Sequence, residues 1–182
     1  MNKPRGVFLT NFVPPHRLPL YELLAKRFPF FKLLLSTEME PNRNWKPEFG
    51  SLDVEVQKSW MFRQGWHHPK GFSETVFVHI PFDTIPSLIR HRPDFVISNE
   101  LGWRSAFAAL YKVFNPRCKV IIWATLSESS EQGRGRLRQL LRKWLLPGVD
   151  AILVNGNSGE RYLRSVTKFS APVFHVPPRP PT

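Results

Sequence analysis

The sequence predicts an α/β fold, a parallel β-sheet with helices on both faces stacked as a three-layer sandwich. Three observations predict it. Short runs that are apolar along their length alternate with stretches of helical periodicity. Such runs suit strands buried on both faces, as parallel strands between helix layers are. The chain has 182 residues and 42% apolar content, enough for one good core, so it is one domain or one half of a larger architecture.

Gly6 to Phe12 (GVFLTNF) reads as a buried first strand, and RLPLYELLAKRF after it carries Leu20, Leu23, Leu24 and Phe28 at helical spacing. FFKLLLS is a second strand. Residues 38–75 then break the pattern with Trp45, Trp60, Phe62, Trp66 and Phe72 set among prolines, glycines and charges. The alternating LDVEV within it predicts a hairpin, so this segment is an excursion rather than a crossover helix. Regularity resumes with DTIPSLIRHRP, a short helix that stops before Pro93, and the strand DFVIS. In WRSAFAALYKVF, Ala106, Phe107, Leu110, Tyr111 and Phe114 share a stripe that predicts a packed helix.

Next come the strand KVIIWAT and a helix rich in arginine. Its stripe of Leu137, Leu140, Leu141, Trp144 and Leu145 is expected on the sheet, with Arg136, Arg138, Arg142 and Lys143 on the solvated face. The strand DAILVNG, the helix SGERYLRSV and the strand VFHV close the repeat. Residues 1–176 thus form one domain, and 177–182 (PPRPPT) read as a stiff proline-rich linker or tail.

The 26 Lys and Arg against 14 Asp and Glu give +12, which favours an anionic partner: phospholipid head groups, a sugar phosphate or nucleic acid. Cys118 is the single cysteine, so an intrachain disulfide and a Cys-rich metal site are excluded and a reducing compartment is the simplest reading. The amino-terminal apolar stretch is broken by Thr10 and Asn11 and is too short for a signal peptide. No apolar run approaches the roughly 20 residues a membrane span requires. The expectation is a soluble or peripheral protein.

In an open parallel sheet the ligand crevice lies beyond the carboxyl ends of the strands. The residues there are Asn11, Pro14, Pro15 and His16; Ser98, Asn99 and Glu100; Thr125, Ser127 and Glu128; Asn155, Asn157 and Ser158. Small polar groups of this kind suit a hydroxyl-rich ligand. Bland roles compete with each: Asn157 and Glu160 have the spacing of a capping box, and Ser127 and Ser129 could cap the basic helix. Glu100 and Glu128 are the stronger candidates, able to accept from sugar hydroxyls or to act as a base. His16, a lone histidine beside two prolines, is the weaker catalytic candidate. Arg134 and Arg136, in a Gly-rich turn, could meet a substrate phosphate, whereas Arg136, Arg138, Arg142 and Lys143 could contact anionic lipid electrostatically.

Missing motifs prune further. Neither a G-x-G-x-x-G after the first strand nor a G-x-x-x-x-G-K-[ST] occurs, so no dinucleotide cofactor or P-loop is indicated. Adjacent His67 and His68 do not share a helix face for a metal, and no metal site is expected. A Ser, His and Asp arrangement is not identifiable, and the aromatic signatures of RNA-binding modules are not visible. Nucleic-acid binding through charge alone would be nonspecific and salt-sensitive.

The segments NFVPPHRLPLYELLAKRF, PDFVISNELGWRSAFAALYK, IIWATLSESSEQGRGRLRQLLRKWLL and VDAILVNGNSGERYL resemble, in order and spacing, the amino-terminal domain of family 4 glycosyltransferases of GT-B architecture. The resemblance covers nearly the whole chain. It implies a Rossmann-like domain that binds the acceptor, facing a carboxy-terminal domain that binds the nucleotide sugar, with transfer that retains the anomeric configuration. It places substrate-binding positions at Asn11, Pro15, His16, Asn99, Glu100, Thr125, Glu128, Asn155 and Ser158, to which the reading of the crevice adds Arg134, and leaves the catalytic residue unassigned, with Glu100, Glu128 and His16 as candidates. Many relatives carry a glycine pair where this chain has Pro14 and Pro15, and a His where it has WATLSE.

No second Rossmann-like domain and no paired-glutamate motif follow within the 182 residues. The resemblance therefore implies an acceptor half that is inactive without a donor half, no cofactor of its own, a glycan or lipid-linked acceptor, and a cytoplasmic site of action, peripheral at the inner membrane face. The rival expectation is a Rossmann-like interaction module that docks on an anionic membrane or a partner protein.

Overall fold

The structure is a computed structural model and describes residues 4–69, 71 and 73–176; the proline-rich stretch 177–182 and Phe72 lie outside them. Nine strands and five α-helices follow in chain order: β1 (Arg5–Thr10), α1 (Leu18–Arg27), β2 (Phe30–Leu35), β3 (Asp53–Val56), β4 (Ser59–His67), β5 (Ser73–Pro81), α2 (Thr84–His91), β6 (Phe95–Asn99), α3 (Trp103–Phe114), β7 (Lys119–Ala124), α4 (Arg136–Leu145), β8 (Ala151–Val154), α5 (Asn157–Val166) and β9 (Val173–His175). Seven strands form one sheet in the order β3-β2-β1-β6-β7-β8-β9, parallel throughout. The expected Rossmann-like α/β fold is therefore present.

The sheet separates two apolar layers because alternate residues of each strand point to opposite faces. Val7, Leu9, Leu34, Val96, Val120, Ile122, Ile152 and Val154 meet Leu88 of α2, Ala108 and Tyr111 of α3, Leu145 of α4 and Leu163 of α5. On the other face Phe8, Phe31, Leu33, Leu35, Ile97 and Trp123 meet Tyr21 and Leu24 of α1 and Phe28 just after it. Each Val, Leu or Phe fully buried here contributes about 1.5–3 kcal/mol relative to exposure. α2 stops where Arg92 turns left-handed, with φ 46°, just before Pro93.

Three local expectations are corrected. DVEV belongs to no hairpin: it is β3, the parallel edge strand beside β2. The hairpin is β4 with β5, an antiparallel pair that runs from Ser59↔Pro81 to His67↔Ser73 and so extends beyond residue 75. On α3 the buried face is the small-residue one, with Arg104, Ser105, Ala106, Ala108, Ala109 and Tyr111, while Leu110 and Phe114 are exposed. Small side chains let the helix lie close to the strands, so Ala106 and Tyr111 of the expected stripe are buried while its Leu110 and Phe114 face outward.

α4 is the sharpest departure. Leu137, Leu140 and Trp144 are 75%, 61% and 54% exposed, whereas only Arg142 and Leu145 of this helix are buried. Arg142, expected on the solvated face, is turned inward because an acid and a phenol await it there: its Nη1 lies 2.5 Å from Glu131 Oε2 and donates to the Tyr162 hydroxyl. Arg138 is half-buried on the same side.

Candidate functional site

The chain order reverses direction between β1 and β6. From β1 the strands run outward to β2 and β3, then the chain returns to the other side of β1 and continues through β6 to β9. A crevice opens at the carboxyl ends of strands at such a switch point. It is present here as a cleft of about 270 Å³. Asn11 and Phe12 after β1, Glu100 and Leu101 after β6, and Thr125 and Leu126 after β7 form its floor. Arg134, Arg138 and Arg142 enter from one side, Glu40 and Arg43 from the loop before β3, and Glu74 to Phe77 of β5 lie over it. A larger open hollow, about 410 Å³, sits among Arg92, Tyr111, Phe114 and Cys118. It lies at the amino end of β7, away from the switch point, and offers no carboxylate.

Below the cleft, a buried guanidinium ties the strand ends together. Arg104 donates to Asn11 Oδ1, to Ser36 Oγ at 3.1 Å and to the Asn99 carbonyl at 3.1 Å, and stands 3.7 Å from Glu100 Oε2. Burial pushes its pKa down while Glu100 and Glu40 oppose that shift. Asn11 in turn donates to Glu40 at 3.3 Å, and Glu40 Oε1 lies 3.0 Å from His79 Nε2, both side chains buried. Arg104, Glu40, Ser36 and His79 were missed from sequence. A charged residue on the small-residue face of α3 was the available signal for Arg104; Glu40 and His79 meet only because the hairpin folds back over the sheet.

Glu100 is unusual in its backbone. Its φ of 71° lies in the left-handed region, which non-glycine residues adopt rarely and at a cost. Its N–H donates to the Trp123 carbonyl at 2.9 Å, which holds the kink and leaves the carboxylate half exposed in the cleft.

Of the expected site residues, Asn11, Glu100, Thr125 and Arg134 line this cleft. Asn99 sits just beneath it, and its Nδ2 donates to Thr10 Oγ1 at 3.5 Å. Arg17 Nη2 donates to Thr125 Oγ1 at 3.2 Å, so the first loop is latched to the end of β7. Pro15 and His16 lie on an exposed 3₁₀ turn and do not line the cleft. Glu128, Asn155 and Ser158 gather instead at the end of β8. There Ser158 Oγ donates to Glu128 at 3.0 Å and accepts from the Glu128 N–H at 3.1 Å, while Arg161 binds Glu128 through Nε and Nη2 at 3.2 and 2.8 Å. These bonds, Arg161 first, hold the Glu128 carboxyl below its ordinary pKa.

The capping expectations do not hold. α5 starts at Asn157 after Gly156 without a side-chain cap, and Glu160 pairs with Arg164 and His175. α4 likewise starts after Gly135 without one, and Ser127 bonds Ser130 across a tight turn. Among the described residues no group of three or more His, Cys, Asp or Glu could hold a metal. No described helix is long and apolar enough to cross a membrane.

No protein-family model matches the chain, and no curated protein matches it. Solved structures do. HepE from Anabaena, solved in complex with UDP, superposes with a TM-score of 0.57 at 12% identity over 94% of this chain and 43% of that one. Sucrose-phosphate synthase from Thermosynechococcus elongatus gives 0.55 at 12% identity over 95% of this chain and 48% of the other. A shorter form of that synthase gives 0.55 at 13% identity, covering 97% and 90%. The chain thus spans less than half the length of HepE and of the longer synthase chain. At these identities the likeness is one of fold alone, the Rossmann-like α/β domain that this chain shares with part of each of those proteins.

Proposed function

We propose that the chain is the acceptor-binding, amino-terminal half of a retaining family 4 glycosyltransferase. It works in the cytoplasm with a donor-binding half, on the same chain or a partner, that holds the nucleotide sugar, and it receives a glycan, polysaccharide or lipid-linked acceptor. The observation that carries this reading is the polar cleft at the switch point, where Asn11, Glu100 and Thr125 from three strand ends share one concave wall. Such groups accept from and donate to sugar hydroxyls at little ordering cost because the strands already fix them. Glu100 is the carboxylate that reaches the ligand. Glu128 is committed to Arg161 and steadies the loop after β7.

The test is an amide-resolved NMR titration of the 182-residue chain with neutral oligosaccharides. Signals at Asn11, Glu100 and Thr125 should move, and Glu100→Gln should weaken binding about tenfold, as loss of a charge-assisted hydrogen bond does. Glu128→Gln should leave the affinity within a factor of two. Sugars that perturb nothing in the cleft would overturn the reading, and sugar transfer by the purified chain alone would overturn the claim that a donor half is required.

A second reading, a non-catalytic module seated on an anionic membrane, is favoured by one observation. The exposed Leu137, Leu140 and Trp144 of α4 form an apolar stripe beside exposed Arg136 and Lys143. The contact is then insertion of the stripe, with Arg142 contributing nothing from its buried position. Vesicles containing phosphatidylglycerol should blue-shift tryptophan emission, and Trp144→Glu should abolish the shift. Vesicle binding without any sugar binding selects this reading over the first.

A further inference from the structure

Three arginines at intervals of four residues, Arg134, Arg138 and Arg142, line the same cleft. They are not equivalent. Arg142 is committed to Glu131 and Tyr162. Arg134 lies flat on Trp66, its Cζ 3.7 Å from the ring centroid, and donates Nε–H to the Ser130 carbonyl at 3.0 Å. No hydrogen bond of its two terminal amino groups is formed with a described residue. Arg138 is half-buried and makes no hydrogen bond or ion pair with any described residue.

A guanidinium that lines a cleft half-buried and holds no partner among the described residues is open to an anionic ligand. Burial pushes the pKa of Arg138 down; Glu131 and Glu100 oppose this, and Arg142 and Arg134 add to it. Of the acids nearby, Glu131 is matched to Arg142 and Glu40 to His79, while Glu100, 3.7 Å from Arg104, keeps its carboxylate half exposed. Glu74 alone stands apart, exposed at the rim on β5.

The loop that presents Arg134 is fixed in advance by the end of β4. Trp66 Nε1–H donates to the Gln132 carbonyl at 3.2 Å, and His68 Nε2 lies 3.0 Å from the Ser129 carbonyl. Gly133 takes φ +71°, and a Cβ there would sit 3.3 Å from the His67 carbonyl oxygen. The hairpin is therefore the clamp that holds a cation over the cleft.

We propose that Arg134 and Arg138 form a phosphate subsite, so that the ligand of this cleft carries a phosphate ester beside its hydroxyls. The inference rests on the acceptor reading and narrows its substrate class. Two guanidinium forks converge well on a tetrahedral anion, which offers acceptor oxygens to both; a carboxylate is satisfied by one fork. The ester can belong to a sugar phosphate or to a lipid-linked phosphate, and the experiment separates them.

The purified 182-residue chain is titrated with inorganic phosphate, glucose 6-phosphate, glucose, and phosphatidylcholine vesicles with or without phosphatidic acid. Arginine Nε–H NMR signals and calorimetry serve as readouts. Phosphate should move the Arg134 and Arg138 signals, and Arg138→Gln should weaken phosphate and glucose 6-phosphate about 10- to 100-fold. Arg138→Lys should recover part of the loss, while Lys26→Gln and Arg27→Gln, exposed on α1, should change nothing. Tighter binding of glucose 6-phosphate than of phosphatidic acid vesicles assigns the group to a soluble sugar phosphate, and the reverse assigns it to a lipid.

Unchanged phosphate affinity in folded Arg138→Gln and Arg134→Gln overturns the subsite, as does an equal loss in Lys26→Gln. Should neutral sugars still perturb Asn11 and Glu100 in that case, the subsite falls and the acceptor reading stands. Should phosphate depend on Arg138 while no sugar, phosphorylated or neutral, perturbs Asn11 or Glu100, the acceptor reading falls.

Discussion

Replacing Arg142 by Met tests whether α4 is held by a desolvated ion pair. The Arg142 side chain is 1% exposed and that of Glu131 6%, with 2.5 Å between Nη1 and Oε2. Met keeps the stem but removes the charge, which strands the Glu131 carboxylate and the Tyr162 hydroxyl in a site water does not reach. Breaking one side of a buried pair costs about 3–5 kcal/mol. At about 2–4 °C per kcal/mol for a chain of this size, the midpoint of thermal unfolding should fall by about 6–20 °C. Glu131→Leu should cost a similar amount, whereas the double variant Arg142→Met with Glu131→Leu should recover most of the loss, since no charge is left unpaired. The assay is urea unfolding followed by circular dichroism on all four proteins, closed as a double-mutant cycle. Single variants that cost under about 1 kcal/mol, or a double variant equal to the sum of the singles, would refute the claim that the pair is desolvated and coupled.

Gly6 is a steric requirement: a Cβ there would collide with Phe95 Cζ and sit 2.8 Å from Phe31 Cδ2, so Gly6→Val should destabilise by about 1–3 kcal/mol in the same urea assay. Burial pushes the Asp150 carboxyl up, but Lys112, the Val120 N–H and Lys119 outweigh it and leave the pKa below the ordinary 3.8. A depressed acid contributes stability that is complete above 3.8 and disappears as the pH falls through its lower folded value. Asp150→Asn should therefore lower stability at pH 7 and flatten its decline in acid, read from urea midpoints between pH 2 and 7. Burial, with Asp150 and Asp94 adding to it, pushes the Cys118 thiol to about 11. Iodoacetamide at pH 8 should leave the folded chain unlabelled and label it fully in urea.

The order of strands and helices was legible because it depends on local apolar period, and each strand of the main sheet answers to a run such as KVIIWAT or DAILV. DVEV was misplaced because alternation shows that one face is buried and not which neighbour supplies the pairing; β3 is an edge strand, and edges alternate too. α3 and α4 failed for one shared reason. The moment of a helix was taken to point at the sheet, yet on α3 close approach favours Ala108 and Ala109 over Leu110 and Phe114, and on α4 the partner of Arg142 comes from Glu131 and Tyr162, residues outside the helix itself. Part of the site was readable for a topological reason: Asn11, Glu100 and Thr125 follow strands, and a switch point makes strand ends converge. Arg104, Glu40 and His79 were not, since their meeting requires contacts across 29 to 93 positions of chain.

Because every strand of the main sheet is parallel, no two neighbours can pair through a tight turn. β1 lies inside the sheet, with Gly6 opposite both Phe31 and Phe95. Its second partner lies 89 residues further along the chain, so at about 5–20 residues per second the ribosome keeps one flank of β1 open for several seconds after the first strand emerges. During that interval the backbone N–H and C=O groups on that flank of β1 are unpaired and Val7 and Leu9 are uncovered, a template for mispairing. Synthesis from the amino terminus therefore exposes the molecule when β1 is already made and its second neighbour is not. Chaperone demand should peak between the emergence of β1 and that of β6.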